Sequence, residues 1–392
     1  MAQDLFESPD YFLVDELLTE EHRMIRDLVR QWVKKEVSPI IEEACQKAVF
    51  PKQLIPGMAK LGCFGPTLPE TYGGAGLDQI AYGLMMQELE RGDSGIRSTA
   101  SVQGSLVMYP IFSYGSQEQK QKYLPDLARG LRMGCFGLTE PDHGSNPSGM
   151  QCHFHSEGDA VILNGSKMWI SNAPFADLAL VWAKDEAGEI RGLILERGMP
   201  GFSTPETKGK WSLRASATGE LVFDQVRVPR DNILPGVKGL KGPLSCLDNA
   251  RYGIAWGSIG AAMDCYDTAL RYARERTQFG KPIAGFQLVQ KKLAEMITSI
   301  TLAQLMNWRL GTLKNAGKAT AAQISMAKRN GCQIAAQVAR DARQILAAMG
   351  ITGEFPVMRH LMNMESVMTY EGTHEIHLLI TGMDITGINA FS

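Results

Sequence analysis

The chain has 392 residues, enough for two or three domains or for one large helical unit with an insertion, and enough to bury a sizeable core. Its 40 basic and 42 acidic residues leave a formal charge of -2, so no overall field favours nucleic acid or an anionic membrane, though local basic pockets for a phosphorylated ligand stay open. The seven cysteines, Cys45, Cys63, Cys135, Cys152, Cys246, Cys265 and Cys332, are odd in number, scattered and free of Cys-x-x-Cys spacing, which argues against a disulfide framework or metal site and for a reducing compartment.

The N-terminus, Met1 to Glu7, is acidic and has neither a basic leader with an apolar core nor an Arg-rich amphipathic pattern, and no apolar run approaches bilayer-spanning length. The expectation is a soluble cytoplasmic product, unless a leader has been removed. From about Glu20 the chain turns helical, with Ile25, Leu28, Val29, Trp32, Val33 and Val37 at three- and four-residue steps until Pro39 interrupts. Helical character with glycine and proline breaks continues to about residue 132, around a loop-like stretch from Pro66 to Gly76. Beyond Cys135 the texture is β. Ala160 to Leu163, Asn164-Gly165 and Ser166 to Ile170 predict a hairpin with a type I′ turn, since Asn-Gly readily takes positive φ. Leu178 to Trp182 and Gly192 to Leu195 follow as short strands, and Glu220 to Pro229 alternates as a half-buried strand does. From about Gly242 to Thr381 the pattern is helical again, with long stretches over Asp248 to Arg276, Phe286 to Ala316 and Thr320 to Met349. The predicted organisation is α+β and multidomain: an N-terminal helical domain over 1–132, an antiparallel β domain over 133–241, and a C-terminal four-helix bundle over 242–392.

Chemistry concentrates in five stretches. Tyr370-Glu371-Gly372-Thr373-His374-Glu375 sets a carboxylate beside an aromatic ring and a glycine; buried among apolar neighbours it could serve as a general base, although by itself it is equally a loop with solvated glutamates and a capping threonine. Cys135 to Ser145 puts small residues and hydroxyls at the entrance to the β domain, suited to the carbonyls of a flat heterocycle or to an ordinary interdomain loop. In Trp169-Ile170-Ser171-Asn172, alternation places the indole and the Ser171 hydroxyl on one face, as a ligand platform or as core. Arg274 to Gly280 with Gln287 offers arginine for a pyrophosphate, or a charged helix end. Arg97-Ser98, after Glu90-Arg91, suits a ligand carboxylate or a salt bridge.

Taken in order, these motifs resemble the acyl-CoA dehydrogenase family over nearly the whole chain, most closely its glutaryl-CoA dehydrogenase branch: Gly137 to Pro141, Trp169 to Asn172, Arg276 with Phe279-Gly280 and Gln287, Phe223 to Pro229, and Tyr370 to Thr373. The resemblance implies an FAD enzyme that oxidises an acyl-CoA between Cα and Cβ, with Glu371 taking the Cα proton. For glutaryl-CoA it implies decarboxylation to crotonyl-CoA and CO2, with electrons passed to an electron-transfer flavoprotein. It assigns Phe136, Leu138, Thr139, Trp169 and Ser171 to the flavin, Arg276, Phe279 and Gln287 to the pyrophosphate and adenine side, and Thr373 and Glu375 to further flavin contacts, some across a subunit interface. Ser145 belongs with these and with the CoA and acyl pocket formed by Leu244, Leu247, Asp248, Arg251 and Gly372, where Arg251 either holds the carboxylate's charge or makes a structural ion pair. Arg97 would clamp a distal carboxylate with Glu90, Ser98 and Tyr370 in support. The family often reads Leu-Gly-Gly-Asn-Gly where this chain has Leu346-Ala347-Ala348-Met349-Gly350, which puts the backbone cofactor contacts near Gln344 and Ala348 in question. A homotetramer, and a cytoplasmic or mitochondrial-matrix location, belong to the same implication. The other readings are a dehydrogenase of a short-chain or branched acyl-CoA, a non-decarboxylating glutaryl-CoA dehydrogenase, an acyl-CoA oxidase, or a non-catalytic CoA-binding helical scaffold.

Overall fold

The structure, a computed structural model, describes residues 10–391. Seven helices come first: α1 (Glu20–Trp32), α2 (Ile41–Lys47), α3 (Ile55–Lys60), α4 (Gln79–Gly92), α5 (Ser94–Ser101), α6 (Tyr109–Tyr114) and α7 (Gln117–Ala128). Thr19 caps α1 through a reciprocal box with His22, and Glu20 and Glu21 occupy the first turn, where the helix dipole favours anions. The helix then widens into a π-helical turn over Val33–Val37, which keeps Val29, Val33 and Val37 in the core one turn apart. Helix α4 is buried almost all round, charged residues included, as a central helix must be.

Seven strands follow: β1 (Gly134–Gly137), β2 (His153–Glu157), β3 (Ala160–Ser171), β4 (Leu178–Lys184), β5 (Ile190–Glu196), β6 (Phe202–Ser203) and β7 (Thr218–Pro229). They form one sheet, and it is mixed rather than purely antiparallel, because β4 runs parallel to β1 and meets β2 in parallel at its end. Period-two alternation sorts β4 between two cores: Leu178, Leu180 and Trp182 join the N-terminal helices, whereas Ala179, Val181 and Ala183 pack in the sheet's own interior. The hairpin expected at Asn164-Gly165 does not form. Those two residues lie inside β3 at a bulge, where Gly165 has φ 126° and the Asn164 side chain accepts the Gln225 backbone N–H at 2.9 Å. The reversal lies earlier, at Gly158, between β2 and β3. Asn-Gly supplies positive φ, and a bulge uses it as readily as a turn does.

The C-terminal part has α8 (Lys241–Glu275), a ribbon of β8 (Thr277–Gln278) and β9 (Lys281–Pro282), α9 (Gln287–Asn315), α10 (Ala321–Ile345), α11 (Val357–Thr369) and α12 (His374–Thr386). Helix α10 packs against the four other helices of this bundle. Glycines on α8 let α4 approach closely: a Cβ at Gly260 would lie 1.9 Å from the Gln87 carbonyl oxygen, and one at Gly257 would lie 2.1 Å from Glu90 Oε2. That close approach carries Glu90 into the heart of the molecule.

Candidate active site

Glu371 sits in the short link between α11 and α12 with φ 55°, followed by Gly372 at φ 97°. A left-handed conformation costs a non-glycine residue about 1–2 kcal/mol, so something must hold it. Three hydrogen bonds from two buried cations do so. Lys328 Nζ on α10 donates to the Tyr370 and Gly372 carbonyls, both at 3.0 Å, and Arg251 Nε on α8 donates to the Glu371 carbonyl at 2.8 Å. Arg251 therefore grips the backbone of Glu371 rather than its carboxylate, and its Nη1 pairs with Asp248 at 3.1 Å. The Glu371 carboxylate keeps a buried Oε2 without a hydrogen-bond partner. Burial pushes its pKa up, against the pull of Arg97, Lys328 and Arg251. A carboxyl poised in this way can take a proton from a weak carbon acid.

Next to it lies a closed polar cluster. Arg97 on α5 is fully buried and donates from Nε to Glu90 Oε2 at 2.6 Å and from Nη2 to the Tyr370 hydroxyl. Its guanidinium also lies 5.6 Å from the Tyr370 ring centre. Arg97 Nη1 and Glu90 Oε1 are left without partners, so the pair has one unused donor for a ligand. Ser98, the next residue, is buried as well. Asp93 fixes the start of α5 by accepting from the Gly95 amide at 2.7 Å, while its other oxygen accepts from Arg359 and Asn363, both at 2.8 Å, which ties α5 to α11 and hence to the base loop.

The two β-domain motifs lie side by side. The Met168 amide donates to the Thr139 carbonyl at 2.8 Å, and buried Lys167 donates to Leu138 O at 3.1 Å and to Glu140 at 2.8 Å. Asn172 completes the link by donating to Gly134 O and accepting from Thr99 on α5, the helix that bears Arg97. A second bulge, between Lys167 and Ile170, puts Trp169 at φ 62° and breaks the simple alternation expected for Trp169 and Ser171. The indole is left 57% exposed while Ile170 is buried. Phe136 and Leu138 turn towards the core shared with the N-terminal helices.

The remaining cofactor candidates stand elsewhere. Phe279, 93% exposed, shares an apolar recess with Phe286, Leu288, Lys292 and Gln344, and Arg276 and Gln287 flank it. Gln344 accepts from Lys292 at 2.7 Å. Arg276 lies about 37 Å from Arg251 along α8, at ~1.5 Å per residue. The Glu371 segment, bonded to Arg251, and Arg276 therefore stand well apart along α8. Ala348 is exposed in the turn after α10, where Ala347 takes φ 51° in place of a glycine. The Thr373 hydroxyl caps α12 by accepting the Ile376 amide at 3.3 Å, and Glu375 sits exposed in the first turn. Ser145 is exposed, and on α8 Leu244 is exposed and Leu247 half-buried, two turns and one turn before Arg251 respectively.

Sequence reasoning missed Lys328, His377 and the Asp93–Arg359 pair. Lys328 carried a signal, since it falls on the apolar face of α10 with Ile324, Gly331 and Ala335. His377 is fully buried against Gly372, its imidazole held near pKa 3 by burial, with Lys328 and Arg251 adding to the effect. Among the described residues no His, Cys, Asp or Glu group could hold a metal ion, and no helix is long and apolar enough to cross a membrane.

A helical domain, a β domain and a helical bundle meeting around a buried carboxylate define a class. Residues 19–131, 135–226 and 237–386 match the N-terminal, middle and C-terminal domain models of acyl-CoA dehydrogenases, and the chain belongs to that family. Such enzymes use FAD. The chain is 50% identical to a glutaryl-CoA dehydrogenase from Mycobacterium smegmatis, covering 96% of this chain and 97% of that one with a TM-score of 0.95. A second structure of a glutaryl-CoA dehydrogenase from Mycobacterium smegmatis, in complex with FADH2, is 46% identical over 97% of this chain and 98% of that one, TM-score 0.96. The human mitochondrial short-chain specific acyl-CoA dehydrogenase is 36% identical over 93% of this chain and 89% of its own length.

Proposed function

We propose that this acyl-CoA dehydrogenase oxidises glutaryl-CoA, with Glu371 as the base and Arg97 as the partner of the distal carboxylate. The observation that carries the reading is the buried Arg97 with an unused Nη1, beside a buried and unpartnered Glu371 oxygen. FAD, when bound, accepts the hydride that leaves Cβ. The residues present fit it: Phe136 to Thr139 and Trp169 to Ser171 are brought side by side by the bond from the Met168 amide to the Thr139 carbonyl, with the Trp169 indole left open. Glu371 takes the Cα proton onto Oε2, in a site dry enough to have raised its pKa. Arg97 orients the far end of the acyl chain through Nη1 while Glu90 and Tyr370 hold its other nitrogens. Loss of CO2 from the oxidised acyl chain leaves a dienolate, and Glu371 returns its proton to give crotonyl-CoA. The distance along α8 supports an oligomer in which Arg276, Phe279, Gln287 and Gln344 serve the cofactor of another copy, a homotetramer being the reading for the whole assembly. Electrons leave to an electron-transfer flavoprotein.

A second reading is favoured by one observation. Glu90 already neutralises Arg97, so Arg97 itself offers no surplus positive charge to a ligand carboxylate, as would suit an uncharged short acyl chain. Anaerobic flavin bleaching by glutaryl-CoA and butyryl-CoA separates the two readings. Glutaryl-CoA should bleach faster, and Arg97→Met should remove that preference; a preference for butyryl-CoA untouched by Arg97→Met rejects the glutaryl assignment. Carboxyl-labelled glutaryl-CoA then shows whether CO2 is released with flavin reduction.

A further inference from the structure

We propose that Lys328 is a positioning residue for the base: by donating to the carbonyls on either side of Glu371, its ammonium fixes the direction of the carboxylate and keeps a positive charge beside the loop. The inference rests on the reading of Glu371 as the base. Lys328 is 1% exposed, and every hydrogen bond it makes is to a backbone carbonyl of one segment: Met368 at 3.4 Å, Tyr370 at 3.0 Å and Gly372 at 3.0 Å. A buried ammonium without a carboxylate in contact is costly to keep, and burial does depress its pKa. The same three carbonyls could be satisfied by neutral donors, so a structural role alone does not call for a charge.

The arrangement makes sense as a device for the segment. The residues Glu371 and Gly372 both have positive φ, which turns successive carbonyls in different directions, and the Tyr370 and Gly372 oxygens converge on one ammonium while the Glu371 oxygen points to Arg251. Rotation of the loop by a single peptide unit would break at least one of these bonds and swing the carboxylate away. Around Glu371 the charged and titratable groups are Tyr82 and Glu90 on α4, Arg97 on α5, Asp248 and Arg251 on α8, Lys328 and Cys332 on α10, and Tyr370, His374 and His377 beside it. His377 is neutral, held near pKa 3, and Glu90 and Arg97 offset each other. Lys328 and Arg251 are then the cations left to temper the burial of the base, and Lys328 is the one with no acidic side chain bonded to it.

The test compares Lys328→Met and Lys328→Arg with the native flavoprotein. For Lys328→Met we expect FAD to be retained, the Kd for a non-oxidisable acyl-CoA thioether to change less than threefold, and flavin reduction at saturating substrate to slow by roughly 10²-fold. The acid limb of the reduction rate should move to higher pH, because a base that loses a neighbouring cation binds its proton more tightly. Backbone amide exchange over residues 368–374 should quicken, and Lys328→Arg should reverse both the pH shift and the exchange. Reduction within threefold of native, or a slow variant whose acid limb stays in place, overturns the proposal. If Lys328→Met does not hold FAD, Lys328→Gln takes its place under the same criteria, and failure of both to hold FAD makes Lys328 a folding residue and also overturns it. Should the native protein not be bleached by any acyl-CoA, or should Glu371→Gln reduce normally, it is the assignment of the base that has failed, and the Lys328 comparison tells the two failures apart.

Discussion

The pocket around Glu371, the proposed base, and the aromatic residues proposed for the cofactor are built on opposite terms. Around Glu371 the side chains are buried and joined to one another within the single chain: Arg97 to Glu90 and Tyr370, Lys328 and Arg251 to the loop carbonyls, and Asp93 to Arg359 and Asn363. Two of the aromatic residues proposed for the cofactor are instead left open, Trp169 at 57% and Phe279 at 93% exposed, whereas Phe136 and Leu138 are buried. On the proposed reading the chain prepares its proton chemistry in advance and leaves two aromatic rings to be covered by something else. Preorganisation is worth most where charge develops, whereas flat apolar surfaces gain their energy when a ligand or another subunit arrives.

The largest expected effect breaks the prepared half. Glu371→Gln keeps the shape and the backbone bonds but cannot take a proton, so flavin reduction by acyl-CoA should fall by roughly 10⁴-fold, about 5.5 kcal/mol, with FAD still bound. Stopped-flow bleaching measures it, and near-normal reduction would place the base elsewhere. Next comes Asp93→Ala, which leaves the buried Arg359 without its nearest charge and the Gly95 amide without an acceptor. Breaking a buried ion pair from one side costs about 3–5 kcal/mol, so the urea midpoint of the FAD-free protein should drop accordingly. A loss under ~1 kcal/mol would mean that water reaches the site and the half described as closed is not.

The sequence was legible where a single residue type had one use. Helical periodicity placed α1 and the long helices α9 and α10 to within a few residues at most ends, and the Glu371 segment was found because a carboxylate beside glycine is informative once other motifs surround it. Legibility failed where one local signal serves two structures. Asn164-Gly165 was expected to turn and instead bulges, because positive φ is required by both. It failed again where partners are remote. Arg251 lies 120 positions from Glu371 and Arg359 lies 266 from Asp93, and no spacing rule could have joined them. The cofactor residues were divided between the flavin and the pyrophosphate side with some contacts across a subunit interface, but the distance between Arg276, just beyond the end of α8, and Arg251 follows from helix length and not from residue type.

The open half should respond in the reverse sense. Phe279 is so exposed that Phe279→Ala should leave the stability of the FAD-free chain within about 0.5 kcal/mol, while FAD affinity weakens by roughly tenfold or more, about 1.4 kcal/mol, once the ring has a ligand or a subunit to cover. Thermal melts with and without added FAD give both numbers. A large loss in the FAD-free protein would show that the ring already supports the fold, and the contrast between the halves would weaken.

The smallest effect lies at Ala347, a residue held at φ 51° as Glu371 is at φ 55°. The two share a strained backbone but not its support, since Glu371 is fixed by bonds from Lys328 and Arg251 to its segment whereas Ala347 is an exposed turn residue. Ala347→Gly relieves about 1–2 kcal/mol of left-handed strain in the folded chain, and it adds about 0.4–1 kcal/mol of conformational freedom to the unfolded one. The difference predicts a gain of about 0.5–1 kcal/mol, read as a higher urea midpoint at an unchanged slope. A lower midpoint would show that the Ala347 methyl is packed to advantage, and the turn after α10 would then belong with the prepared half of the molecule rather than with the open one.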